Sequence, residues 1–524
     1  MQEETEVITT LRGIVGDGYV LTGEADRRFF CHDIYGPGEL TACVVQPGSV
    51  DELRGGVTAA TSRGFAVVPR GGGSSYTGGY LPDRARSVMI DTRRLDRIVE
   101  VNIDDMYVTV ECGITWKQLY LTLREKGMRT PFWGPLSGAV ATVGGSLSQN
   151  AILWGSAKYG VSAESVLGLD VVLADGSLLT TGSAGSRATK PFFRHYGPDL
   201  TGLFLGDNGA LGIKARATLR LVRLPSAVET ASFGFANHED MTAFMTEVVR
   251  EGLVSECFGM DPELTRQRMK RASLAQDVKA LAGVVASAKS LLGGVKEAAR
   301  VVIAGRSFLD ESPYSVHVGA EGRDEVGVRN AIAEVRREAG RCRGHEVENT
   351  IPKVLRGDPF VSMTSAIGPE GERWAPIHGL VPLSEAASTW SAVRARIEDE
   401  RPSLDRLGIV IGTLVAVVGP GAFVLEPVFY WPGPRTVFYE RMLDPATLGG
   451  FRDFRENPEV VAFVSAMRKK LISLFLEKGA VHLQIGKTYP FREGRRAETW
   501  ALLEAIKSAV DPKRLMNPGS LGLE

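Results

Sequence analysis

The sequence predicts an α+β protein of more than one domain, and three observations carry that prediction. The chain has 524 residues, more than one ordinary hydrophobic core accommodates. Up to residue 224, short β-branched runs alternate with helical patterns. Beyond residue 225 the patterns lengthen. Helical stretches at 239–251 and 324–340 alternate with strand runs such as SPYSVHVGA and GAFVLEPVFYW, which reads as a separate α+β domain.

The elements follow in order. LTACVVQP (40–47) reads as a strand, and 50–63 as a helix with Ser49 as N-cap ahead of Asp51 and Glu52. FAVVPR is the next strand, and SVMIDT, IVEVNID and MYVTVECG follow as short strands before a helix over 115–126. VLGLDVVLADGSLLTT reads as two strands around an Asp175-Gly176 turn. A run from 204 to 222 closes this block, and a last helix spans 497–510 before DPKRLMNPGSLGL. No internal repeat or low-complexity tail is present.

Composition narrows the class. The chain is 44% hydrophobic and 23% charged with a formal net charge of -1, the profile of a soluble globular protein. It has no basic excess and no basic stripe with interleaved aromatics, so a nucleic-acid partner is not expected. Cys31, Cys43, Cys112, Cys257 and Cys342 are scattered and form no C-x-x-C. They read as buried free thiols in a reducing compartment, with no metal site. The acidic, polar MQEETEVITTLRG start lacks a secretory pattern, and a cytoplasmic location is expected. The uncharged run 409–425 is interrupted by Gly419-Pro420-Gly421 and reads as two strands joined by a turn. Residues 279–303 read as an amphipathic helix packed on the protein, with a subunit interface or membrane-surface contact as alternatives.

VVPRGGGSSYTGGY (67–80) asks what needs so much bare backbone after a strand. Successive amides in such a turn form a concave anion site, which points to a phosphate or pyrophosphate. An ordinary glycine-rich loop is the competing reading. The pattern is neither G-x-G-x-x-G opening a helix nor a P-loop. A second Gly/Ser/Ala-rich block, PFWGPLSGAVATVGGSLSQNAILWGSAKYG, starts at Pro131.

Four segments in fixed order carry a resemblance: PRGGGSSYTGG, then GPLSGAVATVGGSLSQN with AKYGVSAESVLGLDVVLADG, then GDNGALGI, and finally DPKRLMNPGSLG. Together they resemble the vanillyl-alcohol oxidase / p-cresol methylhydroxylase family of FAD enzymes. The resemblance implies a two-lobed FAD-binding domain of the PCMH type with an inserted α+β cap. Residues 1–224 would form the FAD domain, 225–479 the cap, and 480–524 the segment returning to the FAD domain. It implies that Pro69, Arg70, Gly71, Gly72, Gly73, Ser74, Ser75, Thr77 and Gly78 cradle the pyrophosphate, with hydroxyl donors from Ser74, Ser75 and Thr77. Pro135, Ser137, Thr142, Gly144, Gly145, Ser148 and Asn150 resemble the stretch beside flavin and pyrophosphate. Gly160, Val161, Gly212 and Ile213 match positions toward adenine and ribose, and Asn517 the closing turn. Where some members tether the flavin through histidine or tyrosine, this chain has Ser74 and, on the cap strand, Phe423. Non-covalent FAD is therefore expected.

Such enzymes oxidise a C–OH, C–N or activated C–H bond by hydride transfer to the flavin, and an alcohol donor needs a base. In AVHLQIGKTYPF (480–491), His482 is the first candidate for base or substrate ligand, against the alternative of a hydrogen-bonded structural histidine. Strand alternation would put Gln484 on the same face. Lys487 is a candidate for a substrate anion, or a solvated lysine. His378 and Tyr430 are further candidates, the tyrosine equally a packing residue. Glu426, inside an apolar strand, would need a partner or a raised pKa.

The departures from the resemblance also count. The paired-histidine metal motif of the 2-hydroxy-acid branch is missing, and no metal is expected. Gly479 and Ala480 stand where the 4-alkylphenol branch has its Tyr-Arg pair, and Ala141 where it has an aspartate. Only His482 stands where the ether-lipid branch has several histidines. The reading is an FAD-dependent oxidase or dehydrogenase acting on an alcohol or hydroxylated small molecule, aromatic ones included. The alternatives are a 4-alkylphenol or 2-hydroxy-acid dehydrogenase serving a partner protein, and a non-redox flavin-dependent transferase. The electron acceptor, whether oxygen, quinone or cytochrome, stays open, and a homodimer is expected from the resemblance.

Overall fold

The computed structural model describes residues 2–273 and 313–524, so the helix expected over 279–303 lies outside the described residues. The chain divides into two compact units. The first comprises the chain up to Ile152, Val161–Leu224 and Leu483–Glu524; the second comprises Leu153–Gly160 and Pro225–His482. The sequence reading placed the return at 480 and kept 153–160 in the first domain; the contacts differ on both counts.

The first unit holds two main sheets. Strands β1 (Val20–Leu21), β2 (Cys43–Val45), β3 (Ala66–Arg70) and β4 (Ser87–Asp91) pair in the order β1-β2-β4-β3. The β2/β4 and β4/β3 pairs are parallel. The helix Val50–Ser62 connects β2 to β3. Ser49 caps it by accepting from the Glu52 amide at 3.1 Å. Its buried Leu53, Val57 and Ala60 recur at helical spacing and pack in one core with Val45, Val67, Val88 and Ile90. The 40–47 strand shrinks to Cys43–Val45 because Thr41 and Ala42 bond the Ser87 carbonyl outside the regular ladder.

The second sheet is antiparallel. It consists of β5 (Ile98–Asn102), β6 (Tyr107–Glu111), β8 (Val166–Val172), β9 (Leu178–Thr180) and β10 (Ile213–Arg220) in the order β5-β6-β10-β8-β9. A small pair joins β7 (Met128–Arg129) to β11 (Val222–Arg223). The β8–β9 turn needs glycine: Gly176 has φ +82°, and a Cβ there would stand 1.9 Å from the Thr58 hydroxyl. The helix Trp116–Glu125 opens on a capping box between Thr115 and Gln118. After the helix Ala497–Val510 the chain runs along the free edge of β3. The Val67 amide donates to Leu515 at 2.7 Å, and the Asn517 amide donates to Val67 at 2.8 Å.

The second unit is built on one antiparallel sheet. Its strands are β12 (Ala227–Phe235), β13 (Glu256–Met260), β14 (Tyr314–Gly322), β15 (His345–Glu346), β16 (Arg373–Pro376), β17 (Gly379–Pro382), β18 (Val410–Val418) and β19 (Ala422–Trp431). They run β15-β12-β14-β13-β18-β19-β16, with β17 also on β19. The apolar 409–425 run is the β18–β19 hairpin, turning at Gly419. No described helix is long and apolar enough to cross a membrane. The five cysteines stand apart as thiols, four of them buried.

The segment 480–491 is not a strand. Val481 makes one isolated bridge to Leu380, and turns follow. The chain bends at Leu483 and Gln484, so alternation no longer places His482 and Gln484 on one face.

Candidate functional site

The glycine loop leaves the end of β3 and is pinned at both flanks. The Tyr80 hydroxyl lies 3.0 Å from the His32 carbonyl and 2.9 Å from that of Gly73. Buried Asp33 accepts from the Gly78 amide at 2.8 Å with one oxygen and from the Tyr35 and Gly36 amides with the other. Gly73 and Gly78 have φ of +74° and +69°, which explains two glycines by backbone conformation.

Gly71 and Gly72 have a different cause. A Cβ on Gly71 would stand 2.2 Å from the Thr142 hydroxyl, and one on Gly72 1.9 Å from the Val140 carbonyl. The second glycine-rich block presses on the first, so this close approach is protein on protein.

The middle of the loop remains unsatisfied. Among the described residues, no protein acceptor meets the amides of Gly72, Gly73, Ser74 or Ser75. Buried amides are nearly always paired. Four in succession form an anion nest. The hydroxyl donors expected on this loop are partly spent inside it. Ser75 and Thr77 hydroxyls lie 3.2 Å apart, and Ser75 also accepts from Gln149 at 3.1 Å. These two side chains brace the turn rather than stand out from it.

The second block contributes mostly through backbone. The Pro135 carbonyl accepts from Gly138, and the Ser137 carbonyl from Val140 and Ala141, each at 2.9 Å. Thr142 caps the short helix Val143–Ser148 by accepting from Gly145 at 3.2 Å. Gly144 is held against Cys112, whose Cβ is 2.8 Å from a built Cβ, whereas Gly145 is exposed. The Ser148 hydroxyl turns back to the Gly144 carbonyl at 2.8 Å.

Asn150, Asn208 and Asn517 all take positive φ, a conformation asparagine tolerates better than most residues. Each keeps one buried side-chain atom without a partner: Oδ1 of Asn150, Nδ2 of Asn208 and Oδ1 of Asn517. Arg70 likewise keeps Nε and Nη2 unmet. Unmet amides and donors of this kind fit a phosphate-bearing cofactor, since each group left bare is costly. The loop amides, Arg70 and the Asn208 Nδ2 donor would hold its anionic part, whereas the Oδ1 atoms of Asn150 and Asn517 are acceptors.

Other expected contacts resolve differently. Ile213 is buried in the apolar core beside Val172, and a Cβ on Gly212 would meet Val171 at 2.5 Å. Both are packing positions. Gly160 belongs to the second unit, where φ +81° ends a short helix, and Val161 opens the return to the first. Asn517 acts as a clamp, donating to the Gly79 carbonyl at 2.7 Å and the Asn208 carbonyl at 2.6 Å.

The sequence reading missed the clamp's neighbours. Lys507 Nζ, fully buried, donates to Ala210 at 2.7 Å, Asp511 at 2.6 Å and Met516 at 2.9 Å. Lys214 and Asp207 form a second buried ion pair at 2.5 Å. The i,i+4 spacing of Lys507 and Asp511 was visible in the chain, but nothing local marked the pair as buried.

Lys487 is half-buried, and the Asp83 carboxylate favours its charged form. Its Nζ donates to the Leu81 carbonyl at 2.6 Å, its own amide donates to Thr77 at 2.9 Å, and burial lowers the ammonium to about 8. It ties the C-terminal segment to the glycine loop.

In the second unit, two histidines meet. His482 Nδ1 lies 2.7 Å from the His378 carbonyl, and the rings are 5.9 Å apart, edge to face. A carbonyl only accepts, so Nδ1 carries the proton and Nε2 the lone pair. Burial lowers His482 to about 4 and His378 well below the ordinary imidazole value. Both rings are neutral at pH 7. Tyr430 lies on β19. It is buried with Met260, Leu264 and Val428 and serves the core of the sheet.

Comparison with known proteins agrees with this geometry. The FAD binding domain family matches residues 41–182, and the C-terminal domain of FAD linked oxidases matches 487–521. A probable mitochondrial D-lactate dehydrogenase of Danio rerio is 31% identical over 253 residues, 47% of this chain and 48% of that protein. The glycolate oxidase subunit GlcD of Bacillus subtilis (strain 168) is 28% identical over 40% of this chain and 43% of its own length. The chain thus spans about half the length of the curated relatives it matches.

Among solved structures, p-cresol methylhydroxylase with substrate bound superposes with a TM-score of 0.72 at 16% identity, covering 100% of this chain and 98% of that one. An alkyldihydroxyacetonephosphate synthase gives 0.70 at 17% identity, covering 98% of this chain and 84% of that one. These likenesses establish the fold, and the family matches establish FAD as the cofactor. The chain thus carries an FAD binding domain and the C-terminal domain of FAD linked oxidases, on a fold shared with p-cresol methylhydroxylase.

Proposed function

We propose that this protein oxidises an alcohol or hydroxylated small molecule, aromatic ones included, by passing hydride to a non-covalently held FAD. The observation that carries the reading is the run of unmet amides at Gly72–Ser75, inside a segment matched by the FAD binding domain family. Bound FAD supplies the two-electron acceptor at the flavin ring. The chain's own residues bind and orient it. The nest and Arg70 take its anionic part, and the Asn517–Lys507 clamp holds the C-terminal segment against the loop.

His482 is the proposed base. Its Nδ1 proton is held by the His378 carbonyl, which fixes the neutral tautomer in which Nε2 is the basic nitrogen. With a value of about 4, the ring is a weak base that is never blocked by protonation at neutral pH. Ser74 and Phe423 supply no histidine or tyrosine for a tether, which supports a dissociable flavin.

The test is an acid precipitation followed by an anaerobic screen. Yellow supernatant and bleaching of the flavin by an alcohol agree with the reading. Flavin in the pellet removes the non-covalent assignment. A flavin that no alcohol, hydroxy acid or phenol bleaches removes the oxidation.

A further inference from the structure

Glu426 lies half-buried in β19, on the sheet face that also carries Val428 and Tyr430. Across β18 it faces Leu414, which in turn lies beside Met260 on β13. Among the described residues its carboxyl makes no hydrogen bond and no ion pair. Burial raises it to about 7, so it is partly ionised at neutral pH.

His378 stands on its other side. β16 ends its pairing at Pro376 opposite Val428, and β17 begins at Gly379 opposite Leu425. Between them the Ile377 amide donates to the Pro427 carbonyl at 3.0 Å, so the register continues and His378 falls opposite Glu426. That pair is of the non-hydrogen-bonded kind, in which the Cβ atoms stand about 4.5–5.5 Å apart on one face. The same His378 supplies the carbonyl that holds His482, with the two rings 5.9 Å apart.

A cation reaches this row from the helix Pro262–Ser273. The helix seats Leu264 among Met260, Val428 and Tyr430, so close to β18 that a Cβ on Gly412 would stand 2.5 Å from the Leu264 nitrogen. Arg268 follows about one turn later on the same side of the helix. Its charge acts on Glu426. Yet the half-buried guanidinium also makes no hydrogen bond or ion pair among the described residues. An acid and a base that sense each other without touching leave room for a polar group between them, and each is costly to leave unmet.

The chemistry of that group follows from its two neighbours. A carboxylate accepts hydrogen bonds and a guanidinium donates them. A hydroxyl answers both at once and brings no charge. A carboxylate would satisfy Arg268 but set a like charge against Glu426. Trp374, paired with Tyr430 on the same face, adds ring surface beside the row.

We propose that Glu426 and Arg268 hold a second, uncharged hydroxyl of the substrate beside the His378–His482 pair and so set its specificity. The inference rests on the alcohol-oxidation reading and deepens it: the substrate is a diol or a hydroxylated aromatic alcohol rather than a hydroxy acid.

The experiment uses the flavin-loaded enzyme and three probes: benzyl alcohol, its para-hydroxymethyl derivative and its para-carboxylate. All carry one oxidisable hydroxymethyl group and differ only in the group opposite it. Tryptophan fluorescence gives dissociation constants, and anaerobic flavin bleaching gives the reduction rate. Wild type, Arg268→Met, Glu426→Leu and Glu426→Gln are compared, with the thermal midpoint of each. Wild type should bind the diol about 10- to 100-fold more tightly than benzyl alcohol, the range for a charge-assisted hydrogen bond, and the carboxylate no more tightly than benzyl alcohol. Arg268→Met and Glu426→Leu should each bring diol and benzyl alcohol within about threefold of one another. Glu426→Gln keeps an acceptor and should retain part of the preference.

Equal affinity of wild type for diol and benzyl alcohol overturns the proposal, as does a preference that survives both Arg268→Met and Glu426→Leu. An equal loss of affinity for all three probes with a lowered thermal midpoint makes the two residues structural, and the proposal falls. Tighter binding of the carboxylate than of the diol assigns the slot to an anion and overturns the uncharged class. A diol bound with the expected preference that never bleaches the flavin supports the subsite and removes the oxidation reading instead.

Discussion

Replacing Lys507 with methionine is expected to destabilise the first unit by about 3–5 kcal/mol, the usual cost of breaking a buried charge pair. The ammonium has three donors, and all three are used: Ala210 at 2.7 Å, Asp511 at 2.6 Å and Met516 at 2.9 Å. Methionine keeps the length of the side chain and removes every donor. Two buried carbonyls lose this donor, at roughly 1–3 kcal/mol each where nothing replaces it. Asp511, fully buried, retains the Leu515 and Met516 amides but loses its cation. Removing the buried ammonium also removes its desolvation cost, so these contributions do not add, and 3–5 kcal/mol is the net figure. Urea unfolding of holoprotein and apoprotein, read by tryptophan fluorescence, measures the loss at the first transition. Gel filtration measures flavin retention, which should fall because the clamp holds the C-terminal segment on the glycine loop. Asp511→Asn in the Lys507→Met background should recover part of the stability, since no buried anion remains. A loss under about 1 kcal/mol for Lys507→Met would refute the view that this ion pair secures the segment.

Further outcomes follow from the same geometry. His482→Gln should leave the flavin spectrum intact and slow anaerobic bleaching about 10²- to 10⁴-fold; equal rates would exclude the histidine as base. In the wild type, bleaching should be flat above pH 6 and fall as pH drops toward the His482 value of about 4, which stopped-flow across that range checks. Gly72→Ala should abolish FAD binding, because the methyl meets the Val140 carbonyl at 1.9 Å. Gly145→Ala, with only the Thr142 hydroxyl at 3.2 Å, should keep or slightly raise apoprotein stability. Weaker FAD binding in that variant would show that Gly145 is kept for the cofactor. Burial raises the Glu426 carboxyl to about 7, so the folded state keeps a proton that the unfolded chain releases near 4.5. Its contribution is full below that lower value and is lost as pH rises through about 7. Glu426→Gln should therefore gain stability over wild type at pH 8 and not at pH 4, as urea midpoints at the two values would report.

Local pattern alone predicted much of this protein. Ser49 before Asp51 and Glu52, Thr115 with Gln118, and the Asp175-Gly176 turn are satisfied within a few residues, so their signals survive without tertiary context. The glycine loop was legible as an anion site because a run of bare amides is a property of the chain itself. Its glycines were only half explained. Two serve φ, but Gly71 and Gly72 answer to Thr142 and Val140, residues about seventy positions away that no local pattern connects to them.

The charge states were decided by the fold. Lys487 and Lys507 look like solvated lysines in sequence, and only packing removes their water and supplies carbonyls instead. Tyr430 and Ile213 are apolar-strand residues whose role depends on which side the sheet buries. His482 gained its tautomer from the His378 carbonyl, 104 positions earlier in the chain. Arg70 was desolvated only when three rings closed around it. Hydrogen-bond propensity and apolar periodicity act between neighbours and can be read in order. Desolvation acts between whatever surfaces the fold brings together, so it set the pKa values, the orphaned donors and the clamps.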